Sequence, residues 1–169
     1  MHVLVVTDGS MNAQRAATFS HALAGDGKTT VATVVRVPRT LVQDLRSKYG
    51  DRPPVTADVD AEYVGTPKVE GAIEKGFPGD DSLVTRYLSD KEDEVCGPVV
   101  DAIRELGGEA NSFVCEGDEV EDEILNIANE HSADVLVVGS HGHNAFRGLL
   151  GSTGAKLVRR SEIPVLVLR

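Results

Sequence analysis

Three short runs of branched aliphatic residues, Val3-Leu4-Val5-Val6, Val135-Leu136-Val137-Val138 and Val165-Leu166-Val167-Leu168, constrain the fold most tightly. None of them alternates apolar with polar residues. A strand with one wet face would alternate, so each run reads as a strand buried on both faces, the habit of parallel sheets covered by helices. Two further segments join them: the β-branched stretch from Thr29 to Val37, and a weaker one from about Ala110 to Cys115.

Helical periodicity fills the gaps. Ser10 is placed to cap a helix whose stripe of Ala13, Ala16, Ala17, Ser20, Leu23 and Ala24 stops at Gly25. Ser89-Asp90-Lys91-Glu92 has the spacing of a capping box and leads into Val95, Val99, Ala102, Ile103 and Leu106, with Gly107-Gly108 as the stop. Gly97-Pro98 predicts a kink or a late start in that helix. Asp118 is placed to cap a third helix through Val120, Ile124, Ile127, Ala128 and His131, and a fourth begins near Ser152. Strand and helix alternate, so the class is α/β: one domain over residues 1–169, with an open, mainly parallel five-stranded sheet and helices on both faces. One stretch breaks the repeat. Residues 39–88 hold Pro53, Pro54, Pro67 and Pro78 together with Tyr49, Tyr63, Phe77 and Tyr87, without a clear period, and read as an insertion after strand two.

Composition narrows the function. With 27 acidic against 17 basic side chains the formal charge is −10, which argues against non-specific binding of nucleic acid or anionic membrane. No apolar run approaches the roughly 20 residues of a membrane-spanning helix, and no signal peptide is visible. Cys96 and Cys115 form neither a C-x-x-C pair nor a metal-ligand spacing. The expectation is a cytoplasmic protein with reduced thiols.

The most informative stretch runs from Val137 to Thr153, where a buried strand enters the glycine-rich loop Gly139-Ser140-His141-Gly142-His143-Asn144-Ala145-Phe146-Arg147-Gly148-Leu149-Leu150 and then a helix at Gly151-Ser152. Glycines permit close approach of backbone to a ligand, and the first turn of a helix offers unpaired N–H groups at its positive end, a combination suited to phosphate. The plainer reading is a tight turn and a helix start. The first strand ends in Thr7-Asp8-Gly9-Ser10, which puts the Asp8 carboxylate at the carboxyl edge of the sheet, where ligands of open α/β sheets bind. Asp8 there either meets a ribose, amine or metal, or caps the first helix.

These motifs, with Gly117-Asp118 before a helix and the terminal Ile163-Pro164-Val165-Leu166-Val167, resemble the universal stress protein (UspA-like) family over about residues 2–38 and 90–169. The pattern of its ATP-binding branch is G-x2-G-x9-G-[ST]. Here Gly139-x2-Gly142 is followed by only eight residues before Gly151-Ser152, one fewer than the pattern. The resemblance implies a Rossmann-like regulatory protein of the stress response that binds ATP, ADP or AMP, with Mg²⁺ accompanying the phosphates. It implies that Asp8 sits beside the nucleotide and that Val37, ending strand two, presents main-chain groups to the adenine. Gly139 would let the ribose approach, and Gly142, Gly151, Ser152 and Thr153 would hold phosphates. It also implies a homodimer paired through the last strand, Pro164 to Leu168, an edge that needs covering.

No catalytic set emerges. P-loop and dinucleotide fingerprints are absent. His141 and His143 lack a third ligand and serve as polar loop groups, Arg147 is either a phosphate partner or solvated, and the acidic run from Glu116 to Glu123 reads as a solvated first turn. No catalytic or metal-binding residue is assigned, and turnover is expected to be at most weak. The competing functions are a slow ATP-using enzyme on a related sheet and a nucleotide-free dimeric interaction module; the regulatory reading also implies a protein partner, which the sequence does not identify. Residues 39–88 are the expected responding element when nucleotide binds.

Overall fold

A computed structural model describes residues 1–37, 80–140 and 151–169 of the chain. The chain divides into two compact units, Met1–Val37 with Leu88–Arg169, and Pro38–Tyr87. Of the second unit only residues 80–87 are described, all helical. Most of the expected insertion therefore lies outside the described residues, and so does its expected response to ligand.

The first unit carries β1 (Val3–Val6), α1 (Ala13–Ala24), β2 (Lys28–Val35), the greater part of α2 (Asp80–Glu105), β3 (Glu109–Glu116), α3 (Val120–Glu130), β4 (Val135–Gly139), α4 (Ser152–Arg160) and β5 (Val165–Leu168). Every pairing is parallel and the strand order is β3-β2-β1-β4-β5. The unbroken aliphatic runs are explained by what covers them. Val3, Val5, Val31 and Val137 point to one layer, where Ala16, Ala17 and Ala24 of α1 meet Cys96, Val99 and Ile103 of α2. Leu4, Ala32, Leu136 and Val138 point to the other, against Ile124, Ile127 and Ala128 of α3 and Leu157 of α4. Both faces are dry, so no position in the central strands needs a polar residue.

Local structure departs from the sequence-based expectations at the element ends. Strand β2 stops at Val35, two residues short of Val37, because its ladder with β3 runs out at Glu116 and Gly117 N–H closes on the Val35 carbonyl at 3.1 Å. Asn12, not Ser10, caps α1: its Oδ1 accepts from Arg15 N–H at 2.8 Å. Ser10 is held instead by Asp8, whose Oδ1 accepts from the Ser10 N–H at 3.0 Å and from its hydroxyl.

The capping box at Ser89–Glu92 is not a helix start, since α2 begins at Asp80 and runs through it. It also runs through Pro98. Pro98 brings no N–H for the Glu94 carbonyl, but Gly97 has no Cβ to collide with the proline ring, which removes the usual bar to helix before proline. Helix α3 starts one turn position late for Asp118: its N-cap is Glu119, with no side-chain bond, and Glu121, Asp122 and Glu123 in the first turn complement the helix dipole instead.

Candidate functional site

Strand order reverses direction between β1 and β4, and β1 leads to a helix on one face while β4 leads to a helix on the other. The two chain exits diverge and leave a crevice at the carboxyl ends of these strands. A cleft of about 570 Å³ occupies that position. Its floor is Val6, Thr7 and Asp8 after β1, Val138, Gly139 and Ser140 after β4, and Thr33 and Val34 of β2. Met11, Val120 and Ile124 of α3, and Gly151, Ser152, Thr153, Gly154 and Leu157 of α4 complete the wall.

The polar side of the cleft is built largely from main chain. Ser140 is buried; its N–H donates to the Leu168 carbonyl at 2.7 Å and its carbonyl accepts from Gly151 N–H at 3.0 Å. That second bond ties the start of α4 to the end of β4 and aims the helix N-terminus at the crevice. The N-cap of α4 is Gly151, which has no side chain to satisfy the first-turn N–H groups. Among the described residues a Cβ on Gly151 would meet only the Ser140 carbonyl, at 3.9 Å. Across the cleft Thr7 is buried, its N–H donating to the Ala32 carbonyl at 3.0 Å and its Oγ1 accepting from Gly9 N–H at 3.0 Å. Gly9 has φ +85°, a left-handed conformation that glycine adopts without strain and that turns the chain away after Asp8. Asp8 is exposed, the one acidic side chain among the described residues of the lining, with Oδ1 engaged by Ser10.

Of the residues singled out from sequence, Asp8, Gly139, Gly151, Ser152 and Thr153 all line this one cleft. Val37 does not: it lies two residues beyond the end of β2, and the β2 residues that reach the cleft are Thr33 and Val34. Gly142 lies outside the described residues, as do His141, His143 and Arg147. The apolar wall of Val34, Val120, Ile124 and Leu157 was missed from sequence. Its only signal is register, since Val6 pairs with Ala32 and the two following β2 positions therefore overhang the end of β1.

The acidic turn is also not what its composition suggested. Glu121 is buried and bonds Lys156 Nζ at 2.7 Å, while Asp122 pairs with Arg160, so two ion pairs join α3 to α4 beside the cleft. The Lys156 ammonium holds the Glu121 carboxyl below the usual range, helped by a backbone bond and by Arg36. Among the described residues no group of three or more His, Cys, Asp or Glu side chains could hold a metal. Cys96 and Cys115 are both free; burial and Glu92 push the Cys96 thiol up to about 12, and burial raises Cys115 as well. Among the described residues no helix is long and apolar enough to cross a membrane.

A family model for the universal stress protein family matches residues 1–169. The chain belongs to that family. Stress response protein NhaX of Bacillus subtilis is 26% identical over 170 residues, covering 99% of this chain and 96% of the relative. Among solved structures, hypothetical protein MJ0577 superposes with a TM-score of 0.63 at 16% identity, over 99% of this chain and 94% of that one. An Arabidopsis thaliana universal stress protein family protein, solved with AMP bound, gives 0.55 at 16% identity over 99% and 90%. At those identities the superpositions establish the α/β fold, which this universal stress protein shares.

Proposed function

We propose that this universal stress protein is a regulatory protein that binds an adenine nucleotide, ATP, ADP or AMP, in the cleft between β1 and β4. The observation that carries the proposal is the meeting, in one cleft, of the N-terminus of α4 with its side-chain-free N-cap Gly151, the strand end at Gly139 and an apolar wall. The first-turn N–H groups at the positive end of α4 suit phosphate, and Val34, Val120 and Ile124 suit the faces of a purine. Asp8 stands at the sheet edge, where it accepts a ribose hydroxyl or, through Mg²⁺, approaches the phosphates. That the Arabidopsis relative was solved with AMP bound favours an adenine base.

The role is binding rather than turnover: among the described residues of the cleft none orients an attacking water, and positioning groups alone stabilise substrate and transition state alike, which does not accelerate hydrolysis. Chromatography of nucleotide released from denatured protein, followed by calorimetry, tests the reading. Wild type should bind ATP or AMP and Gly151→Val should not, because the new side chain stands in the cleft lining, where among the described residues a Cβ meets only the Ser140 carbonyl at 3.9 Å. Equal binding by both proteins would remove the assigned site, and steady phosphate release at several turnovers per second would favour the enzyme instead.

The proposed assembly is a homodimer through β5. Among the described residues that strand pairs only with β4, and Val165, Leu166 and Val167 are partly exposed. Light scattering at tens of micromolar should report a dimer, and a monomer there would end this part of the proposal.

A further inference from the structure

Floor and walls of the cleft are held by different forces. The floor is the ends of β1, β2 and β4, fixed by the parallel ladders of the sheet. The walls that α3 and α4 supply are helix starts, and neither N-cap, Glu119 or Gly151, makes a side-chain bond to its first turn. A first turn without such a cap is the part of a helix that opens most readily. In α3 that turn is also the part the cleft uses, because Val120 leads it and Ile124 follows one turn later.

Two ion pairs from adjacent positions tie this turn down. Glu121 meets Lys156 and Asp122 meets Arg160, so the first turn of α3 is joined to two successive turns of α4. The ties differ in depth. The Glu121 side chain is 8% exposed, whereas Asp122 and Arg160 are 48% and 52% exposed. A covered carboxylate has no water to turn to when its partner withdraws, so the inner tie resists opening, while the outer one exchanges readily with solvent. Neither Glu121 nor Lys156 lines the cleft, but Glu121 follows Val120 and Lys156 precedes Leu157, which do. The tied turn is the one closed by Asp122 and Glu123 N–H donating to the Glu119 carbonyl at 3.0 and 3.1 Å.

We infer that Glu121 and Lys156 are positioning residues of the cleft, a clasp that keeps the first turn of α3 closed against α4 and so sets how long a bound molecule stays. Opening of that turn takes Val120 out of the wall after the ligand has bound, so loss of the clasp shows as faster release and not as slower entry. The effect on a bound molecule rests on the nucleotide reading of the cleft; the closing of the turn does not.

Two measurements on the full chain test this. Amide exchange followed by NMR without ligand should be about tenfold faster at Asp122 and Glu123 in Lys156→Met, close to wild type in Lys156→Arg, and changed by less than about threefold in Arg160→Gln. The substituted residues lie on the other helix, so intrinsic exchange at these amides is the same in every variant. Ala16, whose N–H closes the first turn of α1 on the Asn12 carbonyl at 2.9 Å, should exchange as in wild type. Stopped-flow release of N-methylanthraniloyl-ATP should be about tenfold faster in Lys156→Met, with association within about twofold, and should be restored by Lys156→Arg.

Unchanged exchange at Asp122 and Glu123, equal acceleration at Ala16, or no rescue by Lys156→Arg overturns the clasp. Faster exchange combined with unchanged release overturns its role in holding the ligand. Should no nucleotide bind wild type, the reading of the cleft fails on its own, and amide exchange decides the clasp by the same criteria.

Discussion

Acid should destabilise this protein through one buried ring. His2 precedes β1 and is buried, with Nδ1 2.8 Å from the His131 carbonyl and Nε2 2.9 Å from Thr30 Oγ1, which in turn lies 3.0 Å from Asn111 Oδ1. A carbonyl only accepts, so Nδ1 carries a proton. If the Thr30 hydroxyl donates to Asn111, Nε2 must donate as well and the ring is charged. A half-turn of the Asn111 amide reverses the relay: its nitrogen donates to Thr30, Thr30 donates to Nε2, and the ring is neutral.

Burial decides between these, pushing the His2 pKa down from 6.5. Its bond to the His131 carbonyl and the Asp134 carboxylate oppose the shift, and the Lys28 and His131 charges add to it. Phe113, stacked edge-on at 5.3 Å against the His131 ring, brings no charge. The folded pKa thus lies below the unfolded one. Stability is fully present above about pH 6.5 and is lost as pH falls from there towards the folded value, at up to about 1.4 kcal/mol per pH unit from this group.

His2→Phe keeps a ring of similar shape and leaves the His131 carbonyl without its donor, at a cost of about 1–3 kcal/mol at about pH 8. For a chain of this size that lowers Tm by roughly 2–4 °C for each kcal/mol. The variant has no imidazole to protonate at position 2, so urea unfolding curves should show a constant gap to wild type from about pH 8 to 6.5 and a narrowing one below that, towards about pH 5. A stability difference independent of pH, or one that widens in acid, would refute the reasoning.

Two further outcomes follow from the packing. In the α3–α4 clasp, Glu121 is covered and Lys156 is half exposed, so Lys156→Met should cost about 1–2 kcal/mol, more than Glu121→Gln, because only the first leaves a covered carboxylate unpaired. Urea midpoints at neutral pH compare them, and an equal or reversed order would mean that the pair is a plain surface contact. In α2, Gly97→Ala should fail to deliver the gain of about 1 kcal/mol usual in a helix interior, because the added Cβ meets the ring of Pro98. A thermal melt raised by several degrees would contradict that account of the helix.

The fold was legible where burial is written into composition. Val3–Val6, Val135–Val138 and Val165–Leu168 declare strands with two dry faces, and helical stripes between them leave little choice but a parallel α/β sheet. Element ends were less legible because local signals compete. Ser10 looked like a cap until Asp8 took its N–H and hydroxyl, and Pro98 looked like a break because the relief supplied by Gly97 is a matter of absent atoms.

The site divides along the same line. Asp8, Gly139, Gly151, Ser152 and Thr153 could be picked from the sequence because strand ends, glycines and helix starts are local patterns. Only the tertiary structure decided that Thr33 and Val34, not Val37, reach the cleft, that Glu121 is tied to Lys156, and that Arg15 and Arg169, from opposite ends of the sequence, line one recess. Those facts depend on strand register and on which faces two helices turn to each other. Register and facing are set by pairwise packing between distant segments, and no single stretch of residues contains both partners.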